Sequence, residues 1–246
     1  MKKYDQHKMK RTQERHQQVV LLLDQKHLKI YIKERVNIKI KTIMSKNTNV
    51  ENFIRYVESE CKKHGVKVKE YKRRYIKLSD NVKCAGFFDD NTNPPTLAYA
   101  KGREDYLELL VHEYCHMTQW LDKIELWGKA SISLEKMWDW LGNKDKKIVG
   151  IRSHIDIARD LELDNEKRSV EMIKKWNLPI DIPTYTKKAN AYVLYYNHLK
   201  TSRMWSVPGN SPYGNKRILN AMSDKFDMNY DKLSDEIKKM FKEEKI

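Results

Sequence analysis

Apolar and uncharged positions crowd together most densely at residues 107–121, LELLVHEYCHMTQWL, where they recur at helical spacing. Upstream, VENFIRYVESECKKHG sets Val50, Phe53, Ile54 and Val57 on one helical stripe, with Thr48 or Asn49 as cap and Gly65 as stop. After Gly65 the period shortens to two. VKVKEY, RRYIKL and VKCAGFF read as short strands, followed by the turn-rich DDNTNPP and a last strand, TLAYA. The helix holding the apolar stretch is expected from near Glu104 to about Trp127, and SLEKMWDWLG gives another that ends at Gly142. A long helix follows over 156–176, stopped by Asn177 and Pro179. A tyrosine-rich helix over 185–205 and a short amphipathic one over 231–241 complete the chain. Strands first and helices afterwards predict an α+β fold: a small mixed sheet packed on the central helix, with a mostly helical C-terminal half. Residues 1–43 differ in character. VVLLL is followed by LKIYIKERVNIKIKTI, which alternates apolar and basic residues like an exposed strand. We read 1–43 as a basic, weakly ordered extension, or as sequence upstream of a start at Met44, and 44–246 as the main domain.

Composition changes this picture in two ways. Forty-nine Lys and Arg against thirty-four Asp and Glu give a net charge of +15, which attracts nucleic acid or an acidic protein partner. The three cysteines are an odd number without a CxxC pair, which argues for a reducing compartment rather than a disulfide framework. The N-terminus MKKYDQHKMKRTQERHQQ lacks the apolar core of a signal peptide, and VVLLL is too short to span a bilayer. A cytoplasmic protein without membrane attachment is the expectation.

The chemistry sits inside the apolar helix. His112 and His116 are four residues apart, about 40° from each other around a helix, so both imidazoles leave one face. Two imidazole nitrogens so placed suit a tetrahedral zinc ion. Glu113, rotated about 100° from His112, is not a ligand in this arrangement. It lies where a carboxylate can take a proton from water polarised by the metal and pass it to a leaving amine. The competing explanation is a core helix whose histidines satisfy backbone carbonyls, but two histidines in register with a glutamate favour metal.

LLVHEYCHMTQW resembles the zincin zinc metallopeptidases. In that superfamily the HExxH helix packs under a small sheet, whose edge strand above the zinc pairs with an extended peptide substrate. The resemblance implies that TLAYA is that edge strand. The metzincin continuation HxxGxxH is missing, because Gln119 and Asp122 hold those two places. The gluzincin branch instead draws its third ligand from a later helix, in patterns written N-E-x-x-S-D or E-x-x-x-D. Within LELDNEKRSVE, Asn165-Glu166-Lys167-Arg168-Ser169 matches the first of these, with Val170 in place of the Asp. That makes Glu166 the expected third ligand, with Glu162, one turn earlier on the same stripe, as its alternative. The carboxylate that orients a zinc histidine must then come from elsewhere. The resemblance also implies an oxyanion donor beyond the third ligand. NAYVLYYNHLKTSRMW offers Tyr192, Tyr195, Tyr196 and His198, of which Tyr195 and His198 are taken as candidates. From about residue 80 onward the chain is also loosely similar to uncharacterised HExxH proteins of tailed bacteriophages.

The sequence thus predicts zinc-dependent hydrolysis of peptide bonds, with zinc held by His112, His116 and a downstream glutamate. The alternative is a basic nucleic-acid- or protein-binding factor whose zinc serves only the fold. For that alternative the basic runs KHGVKVKEYKRRYIK and KHLKIYIKERVNIKIK speak.

Overall fold

The computed structural model describes Arg35 and residues 48–78, 82–143, 145–206 and 209–246; the alternating segment over 28–43, Arg35 apart, lies outside the described residues. Contacts group the chain into Met1–Glu51 and Asn52–Ile246, and the architecture below is that of the second unit.

Helix α1 (residues 48–63) ends before Gly65, whose φ of +69° only glycine adopts without strain. Five strands follow: β1 (Lys67–Tyr71), β2 (Ile76–Lys77), β3 (Lys83–Cys84), β4 (Gly86–Asp89) and β5 (Thr96–Ala100). β5 is the middle strand of a mixed sheet, parallel to β1 through Val68↔Leu97 and antiparallel to β4 through Phe87↔Ala98. β2 and β3 form a separate antiparallel pair. TLAYA is therefore not the edge strand that the resemblance implied. All five of its residues are buried, as a strand paired on both sides and covered by a helix requires, and β4 takes the edge instead.

The rest is helical: α2 (Tyr106–Leu121), α3 (Glu125–Gly142), α4 (Ile151–Lys175), α5 (Ile182–Ser202), α6 (Lys216–Ala221) and α7 (Asp235–Glu243), with a 3-10 turn at Pro212–Gly214 before α6. α2 lies between the sheet on one side and α4 on the other. Leu110, Val111 and Met117 on α2 are at most 1% exposed. Each such buried side chain contributes about 1.5–3 kcal/mol, against helix propensity differences of at most about 0.7 kcal/mol per residue. Packing on the sheet and α4, rather than intrinsic preference, holds the motif helix in place.

α2 also stops earlier than its pattern predicts. Lys123 adopts a left-handed φ of 50° and the Ile124 amide reaches back to the Gln119 carbonyl, so α3 starts afresh at Glu125. No Gly or Pro announces this turn. It brings Trp127 back over the His116 ring at 6.0 Å and lets its indole N–H donate to Asp90. α4 begins five residues before its predicted start at 156, after the left-handed Gly150, and α5 is capped by the Asp181 side chain accepting from the Thr184 amide. α3, α4 and α5 enclose the second core, where Ile155, Leu194, Tyr195 and Phe241 are almost fully buried.

Candidate metal centre

α2 delivers the three motif residues together. His112, Glu113 and His116 each offer a ligand atom, all within 4.8 Å of one another, so the group can hold a metal ion. The two imidazole rings stand perpendicular, with centroids 4.7 Å apart. Their Nδ1 atoms point away from each other, each to its own partner. His112 Nδ1 lies 3.2 Å from Glu166 Oε1, and His116 Nδ1 lies 2.8 Å from Gln119 Oε1. Gln119 is fully buried and its amide group is fixed, because Nε2 donates to the Leu161 carbonyl and to Asp164. Its oxygen therefore faces His116. At His116 the Gln119 acceptor places the ring hydrogen on Nδ1 and leaves the Nε2 lone pair free; Glu166 offers His112 Nδ1 the same arrangement, in competition with a neighbouring amide donor. The Asn165 amide lies 3.0 Å from the same His112 Nδ1 and also donates to the His112 carbonyl.

The two Nε2 atoms converge on one carboxylate oxygen. Glu162 Oε2 is 3.7 Å from His112 Nε2 and 3.5 Å from His116 Nε2, and it is buried without a hydrogen-bond partner. These separations are too long for direct hydrogen bonds, which fall at about 2.7–3.2 Å. They are close to the ~3.3 Å between two ligand atoms that each sit ~2.0–2.1 Å from a tetrahedral zinc. An unpartnered buried oxygen and two aligned lone pairs around one gap are what a divalent cation requires. The donor set fits.

Glu162, not Glu166, thus faces the gap. The N-E-x-x-S match directed the third-ligand expectation to Glu166, but a four-residue step along α4 places that carboxylate behind His112 instead. There Glu166 meets Nδ1 and accepts a 2.6 Å hydrogen bond from the Tyr185 hydroxyl. Read as E-x-x-x-E, the same segment supplies the inward carboxylate at 162 and the ring-orienting carboxylate at 166. The missing Asp at Val170 is then no loss.

Charge in the cluster is unbalanced. Glu113, Glu162 and Glu166 are all at most 7% exposed, against two histidines. Burial, the largest influence, raises the Glu113 pKa above the usual carboxylate range, against the pull of His112 and His116. At Glu162 burial also acts upward, yet the two histidines prevail and hold it below the ordinary value. Burial opposes a charge on His112, but Glu166, Glu113 and Glu162 outweigh it and push its pKa up to about 10. An excess of buried carboxylate is costly unless a cation meets it.

Glu113 is positioned by a glycine. A Cβ at Gly86, the first residue of β4, would come within 2.7 Å of Glu113 Oε1 and 2.9 Å of its Cγ. The edge strand therefore runs directly against the candidate base, closer than any side chain allows. Cys84, at the end of β3, lies close enough for the Glu113 charge to help burial raise its thiol to about 11.

Of the two oxyanion candidates taken from α5, neither reaches the cluster. Tyr195 donates its hydroxyl to the Met204 carbonyl, and His198 stacks on Phe241 at 5.5 Å in the second core. Tyr195 stands about 60° from Tyr192 and about 100° from Tyr196 around the helix, off the stripe that does face the site. That stripe carries Tyr192 and Tyr196, whose hydroxyls lie 3.2 Å apart. Burial first, and then the Glu162 charge, raises both phenols well above their ordinary range. The Tyr192 ring meets the His112 ring edge-on at 6.4 Å. His154 lies elsewhere, on Ser133 at 3.1 Å, and Asp122 pairs with Arg168 rather than turning to the histidines. Sequence reasoning missed Gln119, noted only as a lost glycine, and Gly86 and Tyr185 altogether. Only the Glu162–Glu166 spacing carried a readable signal.

No protein-family model, curated protein or solved structure matches this chain. The functional reading rests on the geometry.

Proposed function

We propose that the chain is a zinc-dependent peptidase of the zincin kind, with His112 Nε2, His116 Nε2 and Glu162 Oε2 holding the ion. One observation carries this reading. Both Nε2 atoms lie within 3.7 Å of the same partnerless carboxylate oxygen, while an acceptor oxygen stands near each Nδ1, Glu166 Oε1 at 3.2 Å from His112 and Gln119 Oε1 at 2.8 Å from His116. Bound zinc supplies Lewis-acid polarisation of a carbonyl and of water. Glu113, beside the gap and outside the ligand set, takes a proton on its carboxylate and returns it to the leaving amine. Burial raises its pKa above the usual carboxylate range, which makes the ionised carboxylate a stronger proton acceptor. Tyr192 and Tyr196 present hydroxyl donors beside Glu162, where an oxyanion is to be steadied. A peptide substrate is favoured by β4, whose outer edge has no strand partner among the described residues and which starts against Glu113.

The test compares two variants. Glu113→Gln is expected to retain one zinc per chain by elemental analysis and to lose peptide hydrolysis by about 10²–10⁴-fold, the usual contribution of a general base. His116→Ala is expected to lose the metal itself. A zinc-supplemented preparation without stoichiometric metal would remove the proposal.

A second reading draws on the charge. Lys67, Lys72, Arg73, Arg74 and Lys77 are all exposed around β1 and β2, a basic surface suited to an acidic partner or nucleic acid. A salt-sensitive shift of DNA in a gel, unchanged by Glu113→Gln, would support it.

A further inference from the structure

A continuous run of aromatic rings leads from the candidate metal centre to solvent. It starts at His112 and Tyr192, 6.4 Å apart. Tyr192 meets Tyr213 edge-on at 5.9 Å and Trp205 at 6.5 Å, and Trp205 meets Trp138 at 5.0 Å. The far end is open: Trp138 is 49% exposed and Tyr213 44%. Two of the eight exposed large apolar side chains among the described residues therefore lie at this one feature. The neighbouring Tyr195, Tyr196 and Phe241 are consumed by the core beneath. The faces of Trp138 and Tyr213 are not, and the hydrolytic chemistry uses the hydroxyl of Tyr192 rather than its ring.

Exposed aromatic surface that is continuous with a polar site marks the place where an apolar group is taken out of water. We propose that Tyr192, Trp205, Tyr213 and Trp138 form a subsite for a large apolar side chain of a peptide substrate, on the Tyr192 side of the candidate metal centre. The inference rests on the peptidase reading of the same site and adds its substrate preference. The occupant is an apolar side chain rather than a charged one, because the run consists of aromatic rings.

Two N-acetylated, C-amidated pentapeptides test it, one all alanine and one with phenylalanine at the centre. Their binding to zinc-loaded Glu113→Gln protein is measured by calorimetry. Covering a phenylalanine on this surface is expected to favour the second peptide about tenfold in Kd. Adding Trp138→Ala or Tyr213→Ala is expected to remove most of that preference while zinc content and Tm stay unchanged. Two exposed positions are used so that a folding defect in one does not decide the result. Equal binding of the two peptides, no binding of either, or a preference that survives both substitutions would overturn the subsite. So would a dimer in sedimentation that Trp138→Ala dissolves, which assigns the surface to a second copy of the chain. Cleavage by the wild-type protein is scored separately. Phenylalanine preference without cleavage removes the peptidase reading and leaves the subsite, whereas cleavage without preference does the reverse.

Discussion

The sharpest consequence of the geometry concerns two glutamates one turn apart on α4. Glu162 presents its unpartnered Oε2 to both Nε2 atoms, at 3.7 and 3.5 Å, whereas Glu166 braces His112 from behind at 3.2 Å. Conversion of each to glutamine preserves size and removes the charge, so the two variants separate a ligand from a brace. Loss of a carboxylate that orients a metal-bound histidine costs about 10–100-fold in affinity, or roughly 1.4–2.7 kcal/mol. Glu166→Gln should fall in that range, softened by Tyr185, which can still hydrogen-bond to the new amide. Removing the ligand itself leaves a buried cation short of its only anionic donor, a loss comparable to breaking a buried ion pair at about 3–5 kcal/mol. Glu162→Gln should therefore weaken zinc binding by about 150- to 5,000-fold. Competition against a chromogenic chelator gives both constants, with elemental analysis after dialysis as a check. If Glu166→Gln emptied the site while Glu162→Gln remained loaded, the assignment drawn from the Nε2 and Nδ1 partners would be wrong.

Three further outcomes follow from the same arrangement. Gly86→Ala puts a methyl group 2.7 Å from Glu113 Oε1, and a displacement of this order costs about 10²-fold in rate, so kcat should fall while zinc content holds. Gln119→Leu takes the acceptor from His116 Nδ1 and the side-chain donor from the Leu161 carbonyl, while Asp164 keeps its bond from Arg168, so chelator competition should read about a 10–100-fold weaker zinc site. Removing metal with EDTA leaves three buried carboxyl groups around two histidines. Restoring zinc to about a hundred times its Kd adds about 2.7 kcal/mol of stability, which for a chain of this size raises Tm by about 5–10 °C in scanning calorimetry.

Much of this was legible in the chain. The HEYCH spacing fixed His112, Glu113 and His116 on one helix, and the change of period after Gly65 gave the order of strands before helices that the α+β fold shows. Periodicity also turned Glu162 and Glu166 inward together. It could not rank them, because which carboxylate meets Nε2 and which meets Nδ1 depends on how far α4 slides along α2. That is a tertiary quantity with no local signature. The choice among four residues of α5 failed for the same reason: Tyr192 and Tyr196 differ from Tyr195 and His198 only in the face that packing selects. The contact between Gly86 and Glu113 joins a strand to a helix 27 residues away, and a lone glycine in GFF gives no hint of it. The stop at Lys123 carries no breaker residue, so only its hydrogen bonds reveal it.

A crystal structure of the zinc-loaded chain, with anomalous data collected at the zinc edge, tests the central claim most directly. The account predicts a single peak between His112 Nε2, His116 Nε2 and Glu162 Oε2, with a fourth position open toward Glu113. A peak bound by Glu166 in place of Glu162, a fourth protein ligand closing the open position, or no peak between the two imidazoles would contradict it.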